Sequence, residues 1–191
     1  MKATSKKFQL VLATEMLGTV PKDPAVYKSY IETKKPVNIE EDESATVEHI
    51  EEKGWTGFHQ DENGLFVYEY MIKGFLKNAG NVLKDQLKVK ALKSKINNFL
   101  FISPRKIYLG KDKPDGVVER PLRAMTMQGP RVSLSRSDFV NGDTEIEFEI
   151  TLLPHKELTW AVIDELFEYG KLCGLGQFRN GGYGRFEVVQ G

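Results

Sequence analysis

The apolar residues of the chain mark out five segments with the patterns of β-strands. Phe8–Leu17 is apolar almost throughout, which predicts a central strand. Residues 144–152 alternate polar and apolar side chains with a period of two, the pattern of a strand with one buried face. The other predicted strands are 65–70, 99–109 and 186–189.

Two segments have the spacing of an amphipathic helix. From Ile72 to Leu87, apolar residues recur every three or four positions, which predicts one buried helical face. Gly74 and Gly80 weaken this helix, so we interpret them as points where another element approaches closely. A second helix is predicted to open at 157–159, with Thr159 or His155 near its start. The exposed face of the first helix is the most basic region of the chain, with Lys73, Lys77, Lys84 and Lys88.

The order of these elements is strand, helix, strand, strand, helix, strand once insertions are set aside. That order predicts an α+β fold, a ferredoxin-like βαββαβ antiparallel sheet with two helices. We expect one domain over residues 1–191, with insertions at about 18–64 and 110–143. The first insertion contains an acidic tract, 38–53, predicted to be a solvated surface. The second carries four arginines and is split by Gly129-Pro130, as suits a hairpin or an irregular flap.

Composition limits where a nucleic acid could bind. The 27 basic residues equal the 27 acidic ones, so any such affinity must come from a local basic patch.

A single cysteine, Cys173, excludes an internal disulfide and a cysteine-rich metal site, and it favours a reducing compartment. We expect Cys173 to fill a small space in the core. The sequence shows no signal peptide and no membrane span, which predicts a cytoplasmic protein with no membrane partner. It indicates no cofactor and no metal site.

The stretch Gly174–Phe186 concentrates the candidate chemistry. It has five glycines, and exposed backbone N–H groups in such a turn form a concavity suited to phosphate. Arg179 and Arg185 could bind phosphate oxygens, and Phe178 could stack on a base. The alternative is a wide turn that only connects a helix to the last strand. A dinucleotide-binding motif is excluded, because it needs a strand before the glycines and a helix after them.

Two segments carry a resemblance to a known family. Gly174-Leu175-Gly176, followed after five residues by Gly182-Tyr183-Gly184, resembles the glycine-rich signature of the RAMP superfamily. These are CRISPR-associated RNA-binding proteins with ferredoxin-like, RRM-related domains. Tyr70–Lys77 is similar to the segment that lies beside the crRNA in backbone-type subunits, although Lys77 stands where arginine is common. The insertion from Gly110 to Gly142 would correspond to the thumb hairpin of the family.

The resemblance implies an RNA-binding subunit of a CRISPR-type ribonucleoprotein complex. Its partners would be crRNA-like single-stranded RNA and the other subunits. A second hypothesis is a phage-encoded subunit mimic or inhibitor that acts by protein contact with a host defence complex, and a third is a regulatory domain for a small ligand. The candidate RNA-binding residues are Lys73, Lys77, Arg120, Arg123, Arg131, Arg136, Gly176, Phe178, Arg179, Asn180, Gly182, Tyr183 and Arg185.

Catalysis has one candidate residue. Asp23 resembles, in its placement, the target-cleaving aspartate of type III backbone subunits, but a loop aspartate between prolines is also a turn former. None of the three histidines is paired with a nucleophile in the sequence. We therefore expect no autonomous catalysis, and an active enzyme would be an endoribonuclease.

Overall fold

A computed structural model describes residues 2–23, 54–126 and 129–189, with side chains except at 122–133. The acidic tract 38–53 lies outside these residues. The strands are β1 (Thr4–Leu12), β2 (Met16–Leu17), β3 (Val20–Pro21), β4 (Trp55–Gly57), β5 (His59–Asp61), β6 (Gly64–Tyr68), β7 (Leu100–Ser103), β8 (Lys106–Tyr108), β9 (Gly116–Thr126), β10 (Gly129–Val140), β11 (Glu145–Leu152) and β12 (Phe186–Val189). The helices are α1 (Glu69–Leu83), α2 (Leu92–Phe99), α3 (Trp160–Cys173) and a 3₁₀ turn, Arg179–Gly181.

The predicted α+β class is confirmed by a four-stranded antiparallel sheet covered on one face by helices. The strand order is β12, β1, β11, β7. Alternate residues of β11 are buried, as its period-two pattern predicted. The first strand, β1, has a neighbour on each side, as predicted for a central strand, and its alternate residues are buried from Phe8 to Leu12. Phe167 of α3 lies at the centre of this interface, with its ring 4.9 Å from that of Phe8 and 6.3 Å from that of Phe148. The core therefore lies between the helices and one face of this sheet.

The arginine-bearing insertion forms a long hairpin of β9 and β10. The two strands pair antiparallel from Gly116–Phe139 to Thr126–Gly129. Near its base, β10 also pairs with β2, antiparallel, and with β4, parallel at Arg136 and Ser137. The predicted hairpin is thus confirmed, and its base is part of a second sheet. A third, small sheet contains β5, β6 and β8.

Several sequence-based boundaries differ from the structure. The first strand ends at Leu12, because the amides of Ala13 and Thr14 turn to donate to the carbonyl of Arg185. The first helix ends at Leu83 instead of Leu87, and α2 was not predicted. Trp55 and His59, which fall within the predicted first insertion, belong to β4 and β5. The start of the last helix is confirmed, since Thr159 Oγ1 accepts a bond from the amide of Val162.

The two glycines of α1 have different environments. A Cβ at Gly80 would lie 2.6 Å from Cδ1 of Ile96 in α2, so the predicted close approach is confirmed there. A Cβ at Gly74 would have no atom within 4 Å, so the same interpretation of Gly74 is wrong. Among the described helices, none has the length and apolarity needed to cross a bilayer.

Two glycine-to-alanine substitutions should change stability in opposite directions. At Gly170 a Cβ would overlap the ring of Phe75 and lie 2.8 Å from that of Phe186, so Gly170→Ala should cost about 1–3 kcal/mol by overpacking. At exposed Gly74, alanine should stabilise α1 by about 0.5–1 kcal/mol through its higher helix propensity. The free energy of unfolding of both variants can be measured by urea denaturation. Destabilisation of equal size in both would contradict the packing described for α3.

Candidate nucleic-acid interface

The C-terminal loop, Gly174–Phe186, is held in shape by its own main chain. The amide of Leu175 donates to the carbonyl of Gly184 at 2.8 Å, and the amide of Gly184 donates to the carbonyl of Glu15 at 2.7 Å. Gly184 has φ of +73°, and a Cβ there would collide with the carbonyl of Leu175. Only glycine permits this approach of two backbones. The loop therefore docks firmly beside the end of β1.

Six backbone amides of the loop that were expected to bind phosphate are already bonded within the protein. The amide of Arg185 donates to Thr14 Oγ1 at 3.0 Å, and five others donate to backbone carbonyls. These five are Gly174, Leu175, Gly181, Gly182 and Gly184. An amide already bonded within the protein cannot also cradle an anion. At these six positions the backbone serves the shape of the loop, so a phosphate contact at any of them would have to come from a side chain.

The loop meets the base of the hairpin at Phe178 and Arg120. The guanidinium of Arg120 lies 4.5 Å from the centroid of the Phe178 ring. Arg120 is only 8% exposed, whereas Phe178 is 43% exposed. Phe178 has a left-handed backbone, with φ of +53°, a conformation uncommon outside glycine. One face of this ring therefore covers a buried cation while the ring itself remains accessible to solvent.

A polar network fixes the same junction from beneath. Ser137 Oγ accepts a bond from Arg120 Nη2 at 2.7 Å and donates to Gln177 Oε1 at 3.3 Å. Thr56 Oγ1 also donates to Gln177 Oε1, at 2.9 Å. The network joins β4, β10 and the loop. The sequence analysis missed Thr56, Ser137 and Gln177, because their role depends on strand pairing that no local pattern encodes.

The remaining loop candidates differ in their exposure and contacts. Asn180 and Arg185 are exposed. The half-buried Arg179 donates from Nη1 to the sulfur of Cys173 at 3.5 Å, so Cys173 is not the core filler that we expected. The Tyr183 ring is 6.0 Å from that of Phe178. Gly176 would place a Cβ 2.6 Å from the carbonyl of Leu17, and Gly182 faces open space, both with positive φ.

A second aromatic residue near the hairpin base is Trp55, which the sequence analysis did not select. Its Nε1 donates to Asp138 Oδ1 at 2.8 Å. Lys22 Nζ is 2.8 Å from the other oxygen of that carboxylate and 4.3 Å from the indole centroid. Arg136 lies 5.8 Å from the same ring, and its Nε is 2.7 Å from Glu119 Oε1. The charges of Lys22 and Arg136 are thus partly neutralised within the protein.

The predicted lysines of α1 belong to a different part of the surface. Lys73 donates to the carbonyl of Asn97 at 3.0 Å, and Lys77 donates to its side-chain oxygen at 3.2 Å. Lys73 also lies 5.1 Å from the ring of Phe101 in β7, the sheet edge opposite β12. Burial, followed by the charge of Lys77, lowers the pKa of Lys73. Within the described residues no contact joins these lysines to the loop, so the structure does not bring these two groups of candidates together.

For three other candidate residues, the structure describes only part of the surroundings. Arg123 and Arg131 occupy neighbouring paired positions, opposite Val132 and Ala124 respectively, but their side chains lie outside the described part of the structure. Asp23 follows β3, at the end of the first described segment. Its catalytic role stays a prediction. Across residues 2–23, 54–126 and 129–189, no group of three or more His, Cys, Asp or Glu is placed to hold a metal ion.

Comparison with known proteins shows a likeness of fold. No protein-family model and no curated protein sequence matches the chain. One similar solved structure is a chain of the complex described as the cryo-EM structure of the Type III-B Cmr-beta bound to cognate target RNA. It aligns over 99% of this chain with a TM-score of 0.55 and 14% sequence identity. The present chain spans 61% of the length of that neighbour. At this identity the likeness concerns the fold alone.

Two loop glycines should differ in their tolerance of alanine. Gly182→Ala adds a Cβ in open space and should cost about 1–2 kcal/mol, from the left-handed backbone alone. Gly184→Ala carries the same strain and also collides with the carbonyl of Leu175, so it should destabilise the protein more. Thermal unfolding of the two variants compares them. Equal losses of stability would show that the contact between Leu175 and Gly184 does not shape the loop.

Proposed function

We propose that this protein is an RNA-binding subunit of a CRISPR-type ribonucleoprotein complex, related to the RAMP superfamily. It would hold crRNA-like single-stranded RNA along the surface where the C-terminal loop meets the hairpin base. Its domain would be ferredoxin-like: β11 lies between β1 and β7 in the sheet, as the split βαββαβ order requires. The likeness of fold to a chain of an RNA-bound Type III-B complex supports this class.

The observation that carries the proposal is the exposed ring of Phe178. A flat aromatic face on a rigid loop is a platform on which an unpaired base can stack. Its backbone is fixed by the loop hydrogen bonds, and its ring is backed by Arg120 at 4.5 Å. Arg185 and Asn180 of the same loop are exposed, and their side chains can bind phosphate and sugar. An aromatic platform and polar groups on one loop are the elements that single-stranded RNA recognition needs.

The hairpin supports the same proposal. Beyond its base, β10 pairs with β9 alone among the described residues, so this part of the hairpin is not embedded in the second sheet. Arg123 and Arg131 belong to this part. An arginine-bearing hairpin next to a base-stacking loop would serve as the thumb of the family. Arginine suits this position because its planar fork binds phosphate bidentately.

A second candidate function is protein contact without RNA, as a subunit mimic or inhibitor would use. The open face of the four-stranded sheet, opposite the helices, favours it. Alternate residues of β11 and β12 that point away from the core include Glu145, Glu147, Glu149 and Glu187. Lys7 is the cross-strand neighbour of Glu149. These carboxylates would repel an RNA backbone and attract a basic protein segment. RNA binding is therefore proposed for the loop and hairpin, not for this sheet face.

Salt-dependent RNA binding tests the proposal. Titration of a fluorescent single-stranded RNA should give affinity that falls steeply with salt. Arg185→Ala should weaken binding and reduce the slope of log K against log salt by about 0.7, the loss of one phosphate contact. Lys93→Ala is the matched control, because it removes one exposed cation from α2, away from the loop.

The outcomes separate the two functions. Equal effects of the two substitutions would mean that the chain attracts RNA only by general charge. Absence of RNA binding by the unmodified protein, at low salt and micromolar concentration, would reject the RNA function and favour protein contact.

A further inference from the structure

Arg120 is the most unusual buried group in the described residues. It is 8% exposed, and its Nε is buried with no hydrogen-bond partner. Its hydrogen bond from Nη2 goes to the neutral hydroxyl of Ser137, and no carboxylate within the described residues forms an ion pair with it. Buried charges are ordinarily paired with an opposite charge or bound to a metal. Among the described residues, this buried guanidinium therefore has no counter-ion.

The groups around Arg120 do not supply the missing negative charge. The neighbouring carboxylate of Glu119 is 2.7 Å from Arg136 Nε instead. The Phe178 ring offers only the partial negative charge of its face. Burial lowers the pKa of the Arg120 guanidinium, and nearby Tyr183 opposes this effect only in part. The bond to Ser137 and the ring of Phe178 therefore offset only part of the desolvation cost of this charge.

The position of this charge relates it to the proposed RNA surface. Arg120 lies directly behind Phe178, whose ring is 43% exposed. A nucleotide whose base stacks on that ring carries its phosphate a few ångströms from the base. Such a phosphate can reach the edge of the ring, where its attraction to a buried cation is stronger than the attraction between two ions in bulk water.

We propose that the missing counter-ion of Arg120 is a backbone phosphate of the RNA, next to the base stacked on Phe178. This inference rests on the proposed function and specifies it: the ligand is an unpaired nucleotide whose base and phosphate are recognised together. Arg120 is then a binding residue that the free protein retains at the expense of stability. A purely structural role, in which Arg120 anchors the loop to the hairpin, makes the opposite prediction for stability.

Arg120→Met tests this directly, because methionine keeps an unbranched side chain and removes the charge. Replacing a buried, unpaired charge by an apolar side chain is neutral or stabilising, so the melting temperature without RNA should not fall. Affinity for a fluorescent uridine 20-mer should fall about tenfold, the usual loss for one bond to a charged group. The salt slope should fall by about 0.7. Arg120→Lys, which keeps the charge, should retain the slope.

Each alternative result has a distinct meaning. An Arg120→Met protein that unfolds or melts markedly earlier overturns the inference, since Arg120 would then be structural. Unchanged affinity, weaker binding with an unchanged slope, or an equal loss in Arg120→Lys also overturns it, while the proposed function stands. If the unmodified protein binds no RNA, the proposed function fails, and the inference fails with it.

Discussion

The backbone contact between Leu175 and Gly184 determines the candidate surface. It folds the C-terminal loop onto itself, and the amide of Gly184 then fastens the loop to Glu15 at the end of β1. With the loop fixed, Phe178 has little freedom and its ring lies against Arg120 of the hairpin. Gln177 joins the hydrogen bonds of β4 and β10 for the same reason. A main-chain constraint thus positions side chains from three distant parts of the sequence.

Charge separates the surfaces of a protein whose net charge is zero. The open sheet face carries Glu145, Glu147 and Glu149 on a single strand. The loop and hairpin carry arginines: Arg185 is exposed, and Arg120 is buried with no acidic partner among the residues that the structure describes. A polyanion would therefore be repelled from the sheet and accepted beside the loop. This distribution gives a neutral chain one surface that repels RNA and another that can accept it.

The sequence predicted the regular elements better than the site. Period-two alternation in 144–152 and the capping residue Thr159 are local signals, and both were confirmed. The role of the loop glycines depends on contacts with residues that are distant in the sequence. Whether an amide is free depends on which carbonyl folds next to it, so the expected phosphate cradle could not be checked from composition. Lys73 was grouped with the loop by charge alone, although the fold places it beside Asn97 and Phe101.

The most direct test of the central claim is photo-crosslinking of single-stranded RNA containing 5-iodouridine, with the attachment sites mapped by mass spectrometry. If RNA binds at the loop, cross-links should form at Phe178 or Tyr183, because a halogenated base stacked there lies in contact with an aromatic ring. Cross-links confined to the open sheet face or to α1 would contradict it, since RNA would then bind without using the loop.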